Sequence, residues 1–330
     1  MASTVETKEI VGDLSAGEAK LYDRQLRLWG VEAQQKLRAT NVLIAGLDAL
    51  GAEVGKNVVL TGVNSVTLLD HRNLTSKDLP GQFMAPCDAN GQNRATASIE
   101  RLSSLNPNVK VSSVEKNLSD VEDEFFNAFS IVCVIDYPLE IVNKVDIICK
   151  SKGILFLSAD TFGSFGYMFT DLGESFKCHS EHSKREKDGS ETKTVQHHEV
   201  SFKSFQEAVP FGKFASADCL GQKQKTNKVF LLSLLKDDLV TSNLKADDLE
   251  LLVDRLADLG TKYNLAPDCL PFSLLADAAF DQMKGRAEVA AVLGGVIGQE
   301  IIKIASRNDK PFNNFFSYNA VNCVANVVTL

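Results

Sequence analysis

The sequence predicts a doubly wound α/β fold with a mostly parallel sheet, and three observations carry that expectation. Short apolar runs of strand length alternate with helix-length segments from Asn41 to Ser158. A glycine turn, Gly46-Leu47-Asp48-Ala49-Leu50-Gly51, joins the first apolar run to a helix. Asp70 closes the second run, where folds of this class present a carboxylate to a ribose hydroxyl.

Each element has a local reason. Ser15-x-x-Glu18 has capping-box spacing and opens a helix carrying Leu21, Tyr22, Leu26, Leu28 and Trp29. A second short helix, Glu32 to Arg38, follows Gly30. Asn41 to Ala45 reads as a buried strand, Ala52 to Leu60 as a helix stopped by Gly62, and Ser65 to Leu69 as the next strand. Such a βαβ unit requires parallel pairing of its strands. Asn93 to Leu105 is helical and Asn106-Pro107 stops it. Val109 to Val114 is a strand, Glu122 to Phe129 a helix, Ser130 to Ile135 a strand and Leu139 to Ser151 a helix. Ile154 to Ser158 and Gly163 to Thr170 add two more strands.

The alternation breaks after Asp171. Residues 172–209, rich in His, Ser, Lys and Glu, read as a long crossover or insertion with little regular structure. Three helices follow, at Lys228 to Val240, Ala246 to Leu259 and Pro271 to Met283. From Arg286 to Ala305 an apolar helix carries Gly294, Gly295 and Gly298, which suit close packing. Asn314 to Tyr318 and Cys323 to Val328 form a terminal antiparallel pair. The expected division is 1–171 and 284–330 as two parts of one fold, with 172–283 as a variable crossover or insertion with helices.

Bulk properties exclude several classes. At 330 residues the chain can bury a large core, and its composition, 44% hydrophobic and 24% charged, is that of an ordinary globular protein. A net charge of −8 argues against nucleic acid as a partner. No apolar stretch is read as long enough to span a membrane, and the polar start, Met1 to Glu9, does not read as a secretory signal. The seven cysteines are scattered without a CxxC pair, which fits small core residues in a reduced, intracellular setting.

The glycine loop departs from a nucleotide cradle. A dinucleotide fingerprint needs glycine at its third position so that backbone can approach the phosphates, and this chain has Asp48 there. A carboxylate at that point opposes polyphosphate by charge and by volume. No Lys-Ser/Thr follows Gly51, so a P-loop is excluded. Gly46 and Gly51 then serve the turn and the close helix–sheet contact.

The run Tyr22-Asp23-Arg24-Gln25-Leu26-Arg27-Leu28-Trp29-Gly30 resembles the opening of the ubiquitin-like-modifier activating enzymes, relatives of the bacterial ThiF and MoeB adenylyltransferases. Leu69-Asp70, Gln82-Phe83, Asn93-Arg94-Ala95, Leu105-Asn106-Pro107 and Val292 through Ile301 match the same family in order. Within it the likeness is greatest to the small, non-catalytic subunits of the SUMO-activating branch, which Asn313-Asn314-Phe315-Phe316 also resembles. The resemblance implies a Rossmann-like, ThiF/MoeB-type adenylation fold. Departures from the active members matter as much. Arg72, Asp78 and Gly81 replace an acidic residue, an asparagine and an arginine; Arg94 replaces a lysine; Tyr137 follows Asp136 in place of asparagine. No cysteine has the proline-flanked setting of the family's thioester nucleophile.

The resemblance therefore implies a degenerate pocket at Gly46, Asp48, Gly51, Asp70 and Asp136 that binds no cofactor and no metal. ATP, magnesium and the thioester cysteine belong to a large catalytic subunit, with SUMO as a transient partner. In the family's dimers an arginine of the opening helix reaches ATP on the other subunit, and Arg24 matches it, so Arg24 is the expected catalytic residue in trans. The chain alone is expected to be inactive, and the family implies a nuclear location. Rival readings are a free-standing MoeB- or ThiF-like adenylyltransferase, a nicotinamide-dependent oxidoreductase suggested by Asp70, and an adaptor that does not assist catalysis. Cys178, His179, His182, His197 and His198 invite a zinc reading, but their spacing fits no standard site, and a solvated loop is expected.

Overall fold

The computed structural model describes residues 14–185, 191–208, 227–242, 248–262, 271–275 and 286–330. Five parallel strands form one side of an eight-stranded sheet: β1 (Asn41–Ala45), β2 (Ser65–Leu69), β3 (Lys110–Val114), β4 (Ile131–Ile135) and β5 (Leu155–Phe162). Helices α3 (Ala49–Thr61), α4 (Arg94–Leu105) and α5 (Leu139–Lys152) connect them in part. The sheet continues antiparallel through β6 (Phe165–Asp171) and the terminal pair β9 (Phe315–Asn319) and β10 (Val324–Val328). Its order is β10-β9-β6-β5-β4-β1-β2-β3. The apolar strand runs are continuous because both faces are covered: β4 is buried at every position. The fold is the doubly wound α/β architecture expected from the sequence.

The chain enters through α1 (Ala16–Leu21), whose capping box is complete, and α2 (Asp23–Arg38), which bends at Gly30. The segment Glu122 to Phe129, expected as a helix, is a six-residue 3-10 helix, Asp123–Ala128. Phe126 and Phe129 are pulled into the core from it.

The stretch expected to lack regular structure is instead a hairpin of two ten-residue strands, β7 (Phe176–Arg185) and β8 (Glu191–Val200). Its signal was alternation rather than apolarity. Phe176, Cys178 and Ser180 fall on one buried face, opposite Val200, and Phe202 packs edge-on against Phe176. Then come α6 (Phe205–Ala208), α7 (Asn227–Thr241) and α8 (Leu249–Lys262). Of the helix expected at Pro271 to Met283, residues 276–283 lie outside the described residues, and Phe272–Leu274 form a 3-10 turn.

The last helix, α9 (Ala287–Ser306), corrects two readings. Its 20 residues are long and apolar enough to cross a membrane by length and composition, contrary to the expectation that no such stretch exists. It is a core helix: Val289, Leu293, Ile297, Ile301 and Ile304 are buried, and it crosses α3 closely. A Cβ at Gly294 would lie 2.4 Å from Glu53 Cβ and one at Gly298 2.7 Å from Asn57 Cβ, whereas Gly295 faces open space. Two of the three glycines, not all three, serve the close approach.

A buried acidic pair ties α5 to β6 and α6. Asp146 is fully buried; its Oδ2 accepts from Phe205 N at 2.6 Å, and its carboxyl shares a hydrogen bond with that of Asp171. Burial pushes Asp146 up to about 7, against the Phe205 N–H, and neighbouring Asp171 adds to the rise. Asp171 is raised as well, mainly by its own burial. A carboxyl raised in the folded state binds its proton more tightly there than in the unfolded chain. Its stabilisation is complete below the ordinary carboxylate range and is lost as pH climbs through about 7. Asp146→Asn keeps an acceptor for Phe205 and a permanent donor for Asp171. The fall in urea midpoint between about pH 5 and about pH 8 is expected to flatten in that variant; an unchanged slope removes Asp146 as its source.

Candidate functional site

The site forms where β1, β2, β4 and β5 end, on the side where α/β sheets carry their ligand crevice. Gly46 leaves β1 at φ 98, and a Cβ there would lie 1.9 Å from Ile135 O, so the turn is possible only because residue 46 carries no side chain. Asp48 does not project into open space. It is the N-cap of α3, and its Oδ1 accepts from Gly51 N at 2.9 Å. Burial, then Asp136, raises its pKa.

Asp70 is fully buried at the end of β2. Its Oδ2 accepts from Leu47 N at 2.8 Å, and its Oδ1 from Arg72 N at 2.9 Å and Arg72 Nε at 3.0 Å. Arg72 continues across to β4, donating from Nη1 to Asp136 Oδ2 at 2.6 Å. Asp136 holds an unusual positive φ of 54. From the opposite side Lys236 of α7 donates to Asp136 Oδ1 at 2.9 Å and to both Asp160 oxygens at 2.6 and 2.7 Å. Two cations thus bridge the acidic groups carried by β2, β4 and β5, with Arg72 reaching across the end of β1.

The electrostatics follow from these contacts. Burial opposes ionisation of Asp136, but Lys236 and Arg72 outweigh it and hold its carboxyl well below the usual range. Burial pushes Asp160 up, against Lys236. Burial would also lower Lys236 and Arg72, yet their carboxylates raise both. Every oxygen of Asp70, Asp136 and Asp160 accepts a hydrogen bond from this chain. A magnesium ion approaching those oxygens would meet the positive charges of Lys236 and Arg72 already seated on them.

The remaining motif residues are braces. Gln82 is buried, donating to Leu47 O at 3.2 Å and Ser98 Oγ at 2.9 Å while accepting from Met84 N and Ala85 N. Asn93 caps α4 and donates to Asp70 O at 2.8 Å. Arg94 pairs with Asp78 at 2.8 Å and lies 3.8 Å from Asp70. Tyr137 lays its ring 5.4 Å from the Arg72 guanidinium.

Sequence reasoning brought Asp70, Asp136, Asp48 and the glycines to one place, but it missed Asp160 and Lys236. The available signals were an aspartate inside the apolar run of β5 and a lysine within the leucine-rich α7. Arg24 lies elsewhere, exposed on α2. Its neighbour Arg27 takes Asp23 at 3.0 Å, and Arg24 has no ion pair among the described residues. The histidines are brought into register by the hairpin, His179 opposite His197 and Cys178 opposite His198. Among the described residues no group of three or more His, Cys, Asp or Glu side chains is arranged to hold a metal ion.

Comparison with known proteins adds family context. The ThiF family model matches residues 22–328. SUMO-activating enzyme subunit 1 of Xenopus tropicalis is 38% identical over 338 residues, covering 95% of each chain. The Homo sapiens protein of that name is 37% identical, covering 96% of each chain, and the Danio rerio one 36%, covering 97% of each. Among solved structures, E. coli MccB, crystallised with succinimide, superposes with a TM-score of 0.57 at 15% identity, over 94% of this chain and 71% of that one; it speaks to the fold alone.

Proposed function

The chain belongs to the ThiF family, and from that premise we propose that it is the small, regulatory subunit of a heterodimeric SUMO-activating enzyme. The observation that carries this reading is the contrast between two sets of charges. The pocket's carboxylates are held by the chain's own Arg72 and Lys236, while Arg24 stands exposed without an anionic partner among the described residues. The likeness to SUMO-activating enzyme subunit 1, running over 95% of both chains, supports SUMO as the modifier.

In this reading the large catalytic subunit binds ATP and magnesium and carries the thioester cysteine. The C-terminal carboxylate of SUMO attacks the α-phosphate, pyrophosphate leaves, and charge builds on the phosphoryl oxygens. Arg24 supplies a planar, always-charged donor to those oxygens from across the subunit boundary. Leu21 and Leu28, 53% and 76% exposed on the same opening helices, provide apolar surface for the subunit contact. The same assignment proposes a nuclear location and neither nucleic acid nor membrane as a partner.

Two rivals are disfavoured by the same contacts. A free-standing adenylyltransferase requires carboxylates available to magnesium, and a dinucleotide enzyme requires Asp70 available to a ribose; here Arg72 and Leu47 N hold that carboxylate. The test is ATP–pyrophosphate exchange with SUMO. The chain alone is expected to give none, and mixing with the large subunit to give a stable heterodimer with full exchange. Exchange by the chain alone, or no gain on mixing, overturns the proposal.

A further inference from the structure

We propose that Tyr22 and Asn106 form a positioning socket for Arg24, fixing the direction in which the opening helix presents its guanidinium; the inference rests on the trans role of Arg24 given above. The helix breaks at Tyr22, between α1 and α2, with φ −96 and ψ 13. The break turns the tyrosine inward. Its ring is 2% exposed, while Leu21, Asp23 and Arg24 around it all lie outside.

The socket is built from three distant parts of the chain. Asn106 Nδ2 donates to the Tyr22 hydroxyl at 3.0 Å and to Val59 O at 3.0 Å, and Asn106 is itself buried. Gly62 closes the other side: at φ 80, a Cβ there would lie 2.5 Å from the Tyr22 hydroxyl. A side chain on residue 62 and the tyrosine ring cannot share that space. Gln25, three residues on, donates from Nε2 to Leu60 O at 3.0 Å.

Arg24 therefore sits between two residues tied to one stretch of chain, Val59 to Gly62 at the end of α3. With Tyr22 and Gln25 facing that stretch, the helical repeat of about 3.6 residues puts Arg24 on the far side. Asp23, the preceding residue, is taken by Arg27 one turn on. The four letters of the opening motif then have separate duties: anchor, charge partner for Arg27, reaching guanidinium, anchor. A guanidinium on a flexible stem gains accuracy only from a fixed base, and a displacement of about 1 Å at a catalytic group can cost up to about a hundredfold in rate.

The test is a double-mutant cycle on the reconstituted heterodimer, read by SUMO-dependent ATP–pyrophosphate exchange. Tyr22→Leu is expected to lower kcat by about tenfold to a hundredfold with little change in KM for ATP. Tyr22→Phe, which keeps the ring in the socket, is expected to restore most of the rate. In the Arg24→Ala background Tyr22→Leu is expected to add no further loss. Loss by the same factor in both backgrounds makes Tyr22 a merely structural residue and overturns the inference, as does an unchanged rate for Tyr22→Leu alone. If the leucine variant does not assemble, Asn106→Ala goes through the same cycle with the same criteria. The premise is read separately: Arg24→Ala with unchanged exchange ends the trans role, and the socket with it.

Discussion

Arg24→Ala is expected to slow ATP–pyrophosphate exchange by the reconstituted heterodimer about a thousandfold, the scale of a trans arginine in phosphoryl transfer. That factor corresponds to about 4 kcal/mol of transition-state stabilisation. On the proposed role, that loss comes without a loss of folding. Arg24 is exposed and makes no ion pair among the described residues, so its removal leaves the subunit's own stability within about 0.5 kcal/mol. Heterodimer formation, followed by gel filtration, is expected to remain intact. Arg27→Ala is the control: it breaks an exposed pair with Asp23, of the kind that contributes little, and exchange stays near normal. Exchange at wild-type rates in the Arg24 variant would remove the proposed role. A large loss that appears equally in Arg27→Ala would assign the effect to the net charge of the helix rather than to one guanidinium.

Lys236→Met is expected to destabilise the subunit by about 3 to 5 kcal/mol, the cost of leaving buried carboxylates without their cation. The amine bridges Asp136 and Asp160, so both lose their principal partner at once. The pH dependence separates this account from simple loss of packing. In the wild type Asp136 is depressed, so its contribution is present above the ordinary carboxylate range and fades only as pH falls through its low folded value. In the variant Asp136 keeps Arg72 but loses Lys236, so its carboxyl is less depressed, and Asp160, already raised by burial, loses the cation that opposed the rise. Both then hold a proton more readily than in the wild type, and the variant loses less stability as pH falls. The gap in urea midpoint between wild type and variant is expected to be widest near neutrality and to narrow below about pH 5. A gap independent of pH means that Lys236 acts through its methylene stem and not its charge.

Much of the fold was legible because strand and helix periods are local. β1 and β2 fall where the apolar runs place them, and Gly62 ends α3 where its residue type predicts. The β7–β8 hairpin was not legible. Its inward face carries serine, cysteine and histidine among charged neighbours, so its period of two is present without the hydrophobicity that normally reveals it. Glu122 to Phe129 failed for a related reason: a short amphipathic segment reads the same whether it closes as α or 3-10.

The candidate site divides in the same way. The sequence by itself determined the parallel βαβ core and the capping of its helices, since each depends on residue type at short spacing. The tertiary structure alone decided what fills the pocket. Lys236 reaches Asp136 across 100 residues and Asp160 across 76, and Asn106 meets Tyr22 across 84. Charge complementarity and the exclusion of water from a buried crevice act through space, and no periodicity along the chain records which distant cation a strand-end carboxylate will meet.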